Sequence, residues 1–353
     1  MELSELLKIA LEKQAADIFI VPGTSIGMRI GGLVQSIEEK RTSPQESAEL
    51  IKAIYAQANN RSMDILNACG DDDFSFSMQQ MGRFRCNAFK QRGSLAAVLR
   101  LVAIGLPDPQ KLSIPENVLR LADYRKGIVL VTGSAGSGKS TTLACLIDKI
   151  NSERYDHIIT LEDPIEFLHP HKKSIVSQRE VPSDTDSYEK ALRAALRQSP
   201  NVILLGEMRD HETISTALSA AETGELVFST LHTIGAAQTI DRIVDAFPPS
   251  QQTQIKMQLS MALRAVISQQ LIPTVDGKLA PAFEVMVVNP AIQNMIRDSK
   301  MHQVENVIYA SAAEGMQTMD GDILRLYKEG RISKENALQF SINPEMQLKR
   351  MGV

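Results

Sequence analysis

Residues Gly133–Thr141 read GSAGSGKST, between the apolar run Ile128-Val129-Leu130-Val131 and the stretch Thr142-Leu143-Ala144-Cys145-Leu146-Ile147. A strand, a glycine-rich turn and a helix in that order predict a phosphate-binding (Walker A) loop. Gly133, Gly136 and Gly138 reach backbone angles closed to other residues, so successive N–H groups converge on phosphate oxygens at a helix N-terminus. Ser134, Ser137 and Thr141 fill out the loop. Lys139 brings a positive charge to the β- and γ-phosphates, and the Ser140 hydroxyl completes the coordination of a bridging Mg²⁺. The implied ligands are a nucleoside triphosphate and Mg²⁺.

Outward from this loop the pattern is regular. Strands at 128–132, 158–161, 202–205 and 227–229 alternate with helices at 140–150, 187–198 and 211–221. That rhythm predicts an α/β fold with a parallel sheet covered on both faces, its ligand lying beyond the carboxyl ends of the strands. From about residue 290 the chain reads as helical. Upstream the periodicities differ. Leu3, Leu6, Leu7, Ala10 and Leu11 share a helical face, and strands are expected at 18–21 and 28–30 with Gly31-Gly32 as a hairpin turn. A second helix around Ile51, Ile54, Tyr55 and Ala58 precedes three strands: Phe74/Phe76/Met78, Phe84/Cys86/Ala88 and Leu95–Val102. The stretch Gly105-Leu106-Pro107-Asp108-Pro109, with Pro115 beyond it, interrupts both patterns. The expected organisation is therefore a smaller α+β domain at 1–104, a linker at 105–115 and the ATPase-type domain at 116–353.

Composition narrows the classes. The chain has 353 residues, 43% of them hydrophobic, which suits two globular domains. A formal net charge of −4 supplies no overall field for nucleic acid or an anionic membrane. No stretch has the length of a membrane span and the start lacks a signal-peptide pattern, so the expected location is cytoplasmic. Cys69, Cys86 and Cys145 fit neither a disulfide framework nor a zinc site and are read as reduced, packed thiols. Asp71-Asp72-Asp73 reads as a solvated approach to a strand.

Two carboxylate clusters stand at strand ends on the loop side. In Thr160-Leu161-Glu162-Asp163-Pro164-Ile165-Glu166, Pro164 turns the chain out of regular pairing, and Glu166 is the candidate general base. In Val202-Ile203-Leu204-Leu205-Gly206-Glu207, a carboxylate follows a buried strand in the manner of a Walker B segment, and Glu207 is the candidate Mg²⁺ partner alongside Ser140. His232, in Thr230-Leu231-His232-Thr233, would sit near the γ-phosphate as a sensor or a hydrogen-bonding hinge. His169-Pro170-His171 lacks the further ligands a metal site needs. Arg83, Arg85, Arg92 and Arg100 gather in the last strands of the first domain, where an arginine could be supplied to a phosphoryl group.

With these segments in order, the chain resembles the secretion-superfamily ATPases, and among them the pilus-retraction branch, over essentially its whole length. The matching segments are the loop 133–141, ITLEDPIEF at 159–167, LLGEMRDHET at 204–213, TGELVFSTLHT at 223–233, and DFSF and GRFRCNAF at 73–76 and 82–89. The resemblance implies a cytoplasmic homohexameric ring of RecA-like domains, each with a PAS-like N-terminal domain, at the cytoplasmic face of the inner membrane. It implies ATP and Mg²⁺ as ligands and an inner-membrane pilus platform protein as partner, with a related ATPase as a further candidate, and it links the chain to twitching motility. By the same resemblance Lys139 and Ser140 serve phosphate and Mg²⁺. Glu166 activates water, Glu207 is the Walker B carboxylate, His232 is the second histidine of the family's histidine box, and Arg85 and Arg100 reach the nucleotide.

The chain departs from the family pattern in places. Glu225 stands where the first histidine of that box is usual, and Phe19 follows Asp17-Ile18 where histidine is frequent. In Ala291-Ile292-Gln293-Asn294-Met295, a motif the family links to retraction rather than hydrolysis, Gln293 replaces arginine and removes a fixed charge. Arg297 is expected to face a different side of that helix. The alternatives left open are an assembly or type II secretion ATPase, a weakly hydrolysing member of a mixed ring, and a nucleic-acid translocase, the last disfavoured by charge.

Overall fold

The computed structural model describes residues 2–79, 81–102 and 105–352. The chain divides into two compact units, Met1–Gly105 with Pro164–Leu168, and Leu106–Asp163 with His169–Val353. The expected domain boundary at 104/105 adjoins residues 103 and 104, which lie outside the described residues.

The first unit runs α1 (Leu3–Glu12), β1 (Asp17–Ile20), β2 (Gly27–Ile30), β3 (Leu33–Ser36), α2 (Pro44–Gln57), α3 (Asp64–Cys69), β4 (Asp71–Met78), β5 (Gly82–Gln91) and β6 (Ser94–Leu101). Its antiparallel sheet has the order β3-β2-β1-β6-β5-β4. Helix α1 buries Leu3, Leu6, Leu7 and Ala10, the three-and-four spacing of one face. Helix α2 starts in a reciprocal capping box: Glu46 N–H donates to Ser43 Oγ and Ser43 N–H to the Glu46 carboxylate. Both pack on the sheet face carrying Phe74, Phe76, Phe84, Cys86, Ala97 and Leu99.

Strict alternation along β4 corrects the expectation for the acidic run. Asp71 and Asp73 face solvent, but Asp72 between them points inward and is 4% exposed. Arg61 Nε and Nη2 donate to its carboxylate at 2.9 and 2.8 Å, and Tyr55 Oη donates at 2.9 Å. Asp72→Ala would leave a buried hydroxyl and a half-buried guanidinium unpaired. It is expected to cost about 2–3 kcal/mol, read as a lower urea midpoint for the first unit. The thiol expectation is corrected at one position: Cys86 and Cys145 are buried, but Cys69, the last residue of the short α3, is exposed.

The second unit comprises α4 (Glu116–Leu119), β7 (Gly127–Thr132), α5 (Lys139–Glu153), β8 (His157–Glu162), β9 (Ile175–Glu180), α6 (Tyr188–Ala195), β10 (Val202–Leu205), α7 (His211–Thr223) and β11 (Leu226–Leu231). There follow α8 (Ala236–Asp245), α9 (Pro249–Ala262), β12 (Leu263–Pro273), β13 (Leu279–Val287), α10 (Pro290–Arg297), α11 (Val304–Ala310), α12 (Met319–Lys328), α13 (Lys334–Phe340) and α14 (Pro344–Arg350). The sheet order is β13-β12-β7-β11-β10-β8-β9. Every residue of β7, β10 and β11 is buried, as strands covered on both faces must be. One core lies between the sheet and the α6–α9 side, another between the sheet and the α4–α5 side. The sheet is not wholly parallel: β13 turns back antiparallel to β12 and closes that edge.

The carboxyl-terminal helices are tied to this sheet. Asp322 accepts from Phe283 N–H at 2.9 Å, and Asp320 accepts from the N–H groups of Ile342 and Asn343 at 2.7 and 3.0 Å. Gln293 and Arg297 lie four residues apart on α10 and therefore share a flank, against the expectation. No helix among the described residues is long and apolar enough to cross a membrane.

Candidate functional site

The phosphate loop leaves β7 at Thr132 and enters α5 at Lys139. Gly133, Gly136 and Gly138 all have positive φ, and at two of them a side chain would also clash. Gly133 has φ +142, and a Cβ there would lie 2.3 Å from the Gln269 carbonyl oxygen and 2.6 Å from Ser137 Oγ. Gly138, the residue before α5, has φ +90, and a Cβ would lie 2.8 Å from Gln269 Nε2. The loop is thus pressed against β12. Gln269 itself is buried and accepts from Thr142 Oγ1 at 2.7 Å, which fixes the first turn of α5 to the neighbouring strand.

Lys139 is buried along the loop, with Nζ donating to the carbonyls of Gly133 and Ser134 at 2.9 Å each. Ser137 Oγ is buried inside the loop with no hydrogen-bond partner among the described residues. Ser134 is exposed and Ser140 and Thr141 half-buried, at the start of a helix whose first N–H groups lack intrahelical acceptors. This is the geometry of an anion site at a helix terminus.

Strand β11 lies between β7 and β10, so the ends of three strands sit side by side. Beyond β10 the chain stays attached to both neighbours. Gly206 N–H donates to Leu161 O at 2.8 Å, Thr230 Oγ1 to Gly206 O at 2.6 Å, and Met208 N–H to Thr230 O at 3.2 Å. Glu207 projects from this tied corner with its side chain 16% exposed. It is ion-paired with Arg209, and His232 Nε2 lies 3.6 Å from its other oxygen, an ion pair only when the imidazole is protonated. The structure therefore brings Glu207 and His232 together at the carboxyl edge of the sheet that carries the phosphate loop.

Glu166 is exposed and belongs to Pro164–Leu168, the segment that packs with the first unit, whereas Lys139, Ser140, Glu207 and His232 belong to the second. Arg85 and Arg100 lie on the polar face of the first unit's sheet, directly opposite each other on β5 and β6. Arg85 makes a two-point pair with Asp73, at 3.1 and 2.6 Å. Arg100 Nε donates to Asp17 Oδ1 and Arg29 Nε to Asp17 Oδ2, each at 2.8 Å. Burial pushes the Asp17 carboxyl toward a higher pKa, but the hydrogen bonds from Arg100 and Arg29 together outweigh it and hold the pKa below the ordinary value.

His169 and His171 have structural surroundings. His171 Nδ1 accepts from Val176 N–H at 3.1 Å, and His169 is buried. Burial pushes the His169 imidazole down to about 4; Asp148 opposes this in part and Lys172 adds to it. Its folded pKa lies below its unfolded value of 6.5, so its contribution is complete above pH 6.5 and is lost as pH falls toward 4. His169→Leu is expected to flatten the loss of stability across that window by up to about 3 kcal/mol, measured as melting temperature against pH.

Sequence reasoning missed Gln269, Arg209 and the Thr230 tether. For Gln269 a signal existed: Ser268-Gln269-Gln270 interrupts the otherwise apolar Ala265-Val266-Ile267 and Leu271-Ile272, and a buried polar residue in a strand calls for a partner. Nothing local singles out Arg209 or Thr230.

Comparison with known proteins follows this geometry. Residues 2–319 match the family described as Type II/IV secretion system protein. The chain is 43% identical to the type IV pilus retraction ATPase PilT of Pseudomonas aeruginosa over 345 residues, covering 98% of this chain and 99% of that protein. It is 39% identical to the type IV pilus ATPase PilU of the same organism, covering 96% and 88%. Among solved structures, it superposes on the pilus retraction motor PilT with bound ADP at a TM-score of 0.92 and 45% identity, covering 99% of this chain and 100% of that one. A match over nearly the whole length, through both units, means that the chain belongs to the Type II/IV secretion system protein family.

Proposed function

We propose that this protein is a Mg²⁺-dependent ATPase that drives type IV pilus retraction and hence twitching motility, working as a homohexamer on an inner-membrane platform protein at the cytoplasmic face. The observation that carries the reading is the full-length likeness to a pilus retraction motor with bound ADP, beside the glycine-rich loop Gly133–Thr141 of this chain.

In this reading the loop N–H groups and Lys139 hold the β- and γ-phosphates, with Gly133, Ser134, Gly136, Ser137, Gly138, Ser140 and Thr141 shaping the cradle. Ser140 and Glu207 supply a hydroxyl and a carboxylate, the hard oxygen donors that suit Mg²⁺, and the unpartnered Ser137 hydroxyl is a further polar group inside the loop. When bound, Mg²⁺ neutralises charge developing on the phosphates. Glu166 accepts the proton of the attacking water, His232 reports on the phosphate through Glu207, and Arg85 and Arg100 offset the spreading negative charge.

The test is phosphate release measured against protein concentration, with mass in solution followed in parallel and with EDTA as control. Turnover that appears with a six-subunit species and vanishes with EDTA is the expected result. A protein that binds ATP but does not turn it over in any assembly state would overturn the motor reading.

A further inference from the structure

Gly206, the residue between β10 and Glu207, is a glycine for want of space rather than for backbone freedom. Its φ lies outside the left-handed region, yet a Cβ there would lie 2.6 Å from Tyr188 Oη, 3.2 Å from Leu161 O and 3.4 Å from Tyr188 Cζ. The nearest of these atoms is the tip of a side chain from another element. Tyr188 is the first residue of α6, whose start is fixed by Ser187 Oγ accepting from Lys190 N–H at 3.3 Å and whose inner face buries Ala191, Leu192 and Ala195. The half-buried Tyr188 ring packs on the same core. Burial pushes the Tyr188 phenol to a higher pKa, and Asp163, Glu207 and Glu162 push it the same way against the opposing Arg209. The group touching Gly206 is therefore a hydroxyl that stays protonated, within electrostatic reach of the carboxylates that follow β8 and β10.

We propose that Tyr188 is a positioning residue for Glu207: its hydroxyl is the stop against which the Gly206–Glu207 corner rests, and the thickness of that one oxygen sets where the carboxylate stands. The proposal rests on the reading of Glu207 as a Mg²⁺ partner and adds which residue of the helix layer fixes it. Hydrogen bonds tether the corner to the neighbouring strands, through Gly206 N–H to Leu161 O and Thr230 Oγ1 to Gly206 O. Tyr188 supplies the contact from α6. A single atom matters here because packed interiors have little slack: an added methyl must displace a neighbour, and a deleted atom leaves a gap that its lining fills only in part. A methyl on Gly206 and the Tyr188 hydroxyl cannot both keep their places. With the ring held by the core and by the capped start of α6, the part that yields is the corner carrying Glu207. A hard cation with strict geometry is sensitive to where its oxygen donors stand, whereas the phosphate-loop N–H groups are untouched by such a shift. The consequence should fall on the Mg²⁺-supported part of nucleotide binding and spare the rest.

The experiment is calorimetric titration of the full chain with ADP, once in excess Mg²⁺ and once in EDTA, with melting temperature and phosphate release followed alongside. The variants are Tyr188→Phe, Gly206→Ala and the two combined. The readout is the ratio of the two affinities, because general damage to the fold would weaken both arms alike. Tyr188→Phe keeps the ring and removes one oxygen, so it should keep its melting temperature. The Mg²⁺ advantage is expected to fall about three-fold in Tyr188→Phe and about ten-fold or more in Gly206→Ala, with the EDTA arm unchanged. In the combined variant the closest neighbour of the added methyl is gone, and the advantage should recover to within about three-fold of wild type. Should Gly206→Ala alone lower the melting temperature, Tyr188→Phe and the recovery in the combined variant still carry the test. An advantage equal to wild type in both single variants would overturn the proposal. So would an equal loss in both arms, which makes the contact merely structural, or a combined variant no better than Gly206→Ala. A wild-type chain that binds ADP equally well in Mg²⁺ and in EDTA would remove the Mg²⁺ reading itself, a failure visible before any variant is made.

Discussion

Lys139→Ala is expected to lower ATP turnover by about 10²–10³-fold or more, because the charge proposed to meet the transferring phosphoryl group disappears. The same substitution removes two hydrogen bonds, to Gly133 O and Ser134 O, that hold the loop closed over its own carbonyls. Nucleotide affinity should fall as well, though less, since the backbone N–H groups of α5 remain. Phosphate release under saturating ATP separates the two effects. Turnover within a few-fold of wild type would remove the phosphate loop from the chemistry.

Glu166→Gln should be comparably severe, lowering turnover by about 10²–10⁴-fold, while leaving ATP binding close to wild type. The exchange keeps size and hydrogen-bonding shape and removes only the ability to take a proton. Glu166 is exposed and is not among the residues proposed to hold phosphate, so binding has no reason to change. Glu207→Gln offers a contrast: it strips a carboxylate from the proposed Mg²⁺ partners, and its loss should be partly recovered by raising Mg²⁺. If Glu166→Gln instead abolishes binding, its role is structural and the base lies elsewhere.

The α/β class was legible because its evidence is local. Glycines at 133, 136 and 138, the four-residue apolar run Val202–Leu205 ahead of Glu207, and the alternation of strand and helix all lie within short windows. What escaped depends on partners distant in sequence. Strand β9 reads Ile-Val-Ser-Gln-Arg-Glu, too polar for a buried parallel strand, because it is an edge. Strand β3 exposes all four of its residues and carries no alternation. Asp72 looked like one of three equivalent carboxylates until the pleat turned it inward to Arg61. The candidate site divides in the same way. Its phosphate loop and the pair Glu207 and His232 follow from adjacency of strand ends, but the bond from Thr142 to Gln269 that ties the loop's helix to β12 joins residues 127 apart, and no window of sequence holds both.

Asp17 also bears on how freely an arginine can move. A buried carboxylate with a single cationic partner resists losing it, because departure leaves the charge stranded. Asp17 has two, Arg29 and Arg100, one on each oxygen. Withdrawing Arg100, whose side chain is 70% exposed, still leaves Asp17 paired through Arg29. The redundancy makes Arg100 a detachable side chain on a rigid strand, able to exchange one anion for another without unsettling the sheet beneath it. A variant without Arg29 should lose that freedom, gripping Arg100 harder while every residue proposed to meet the nucleotide stays in place.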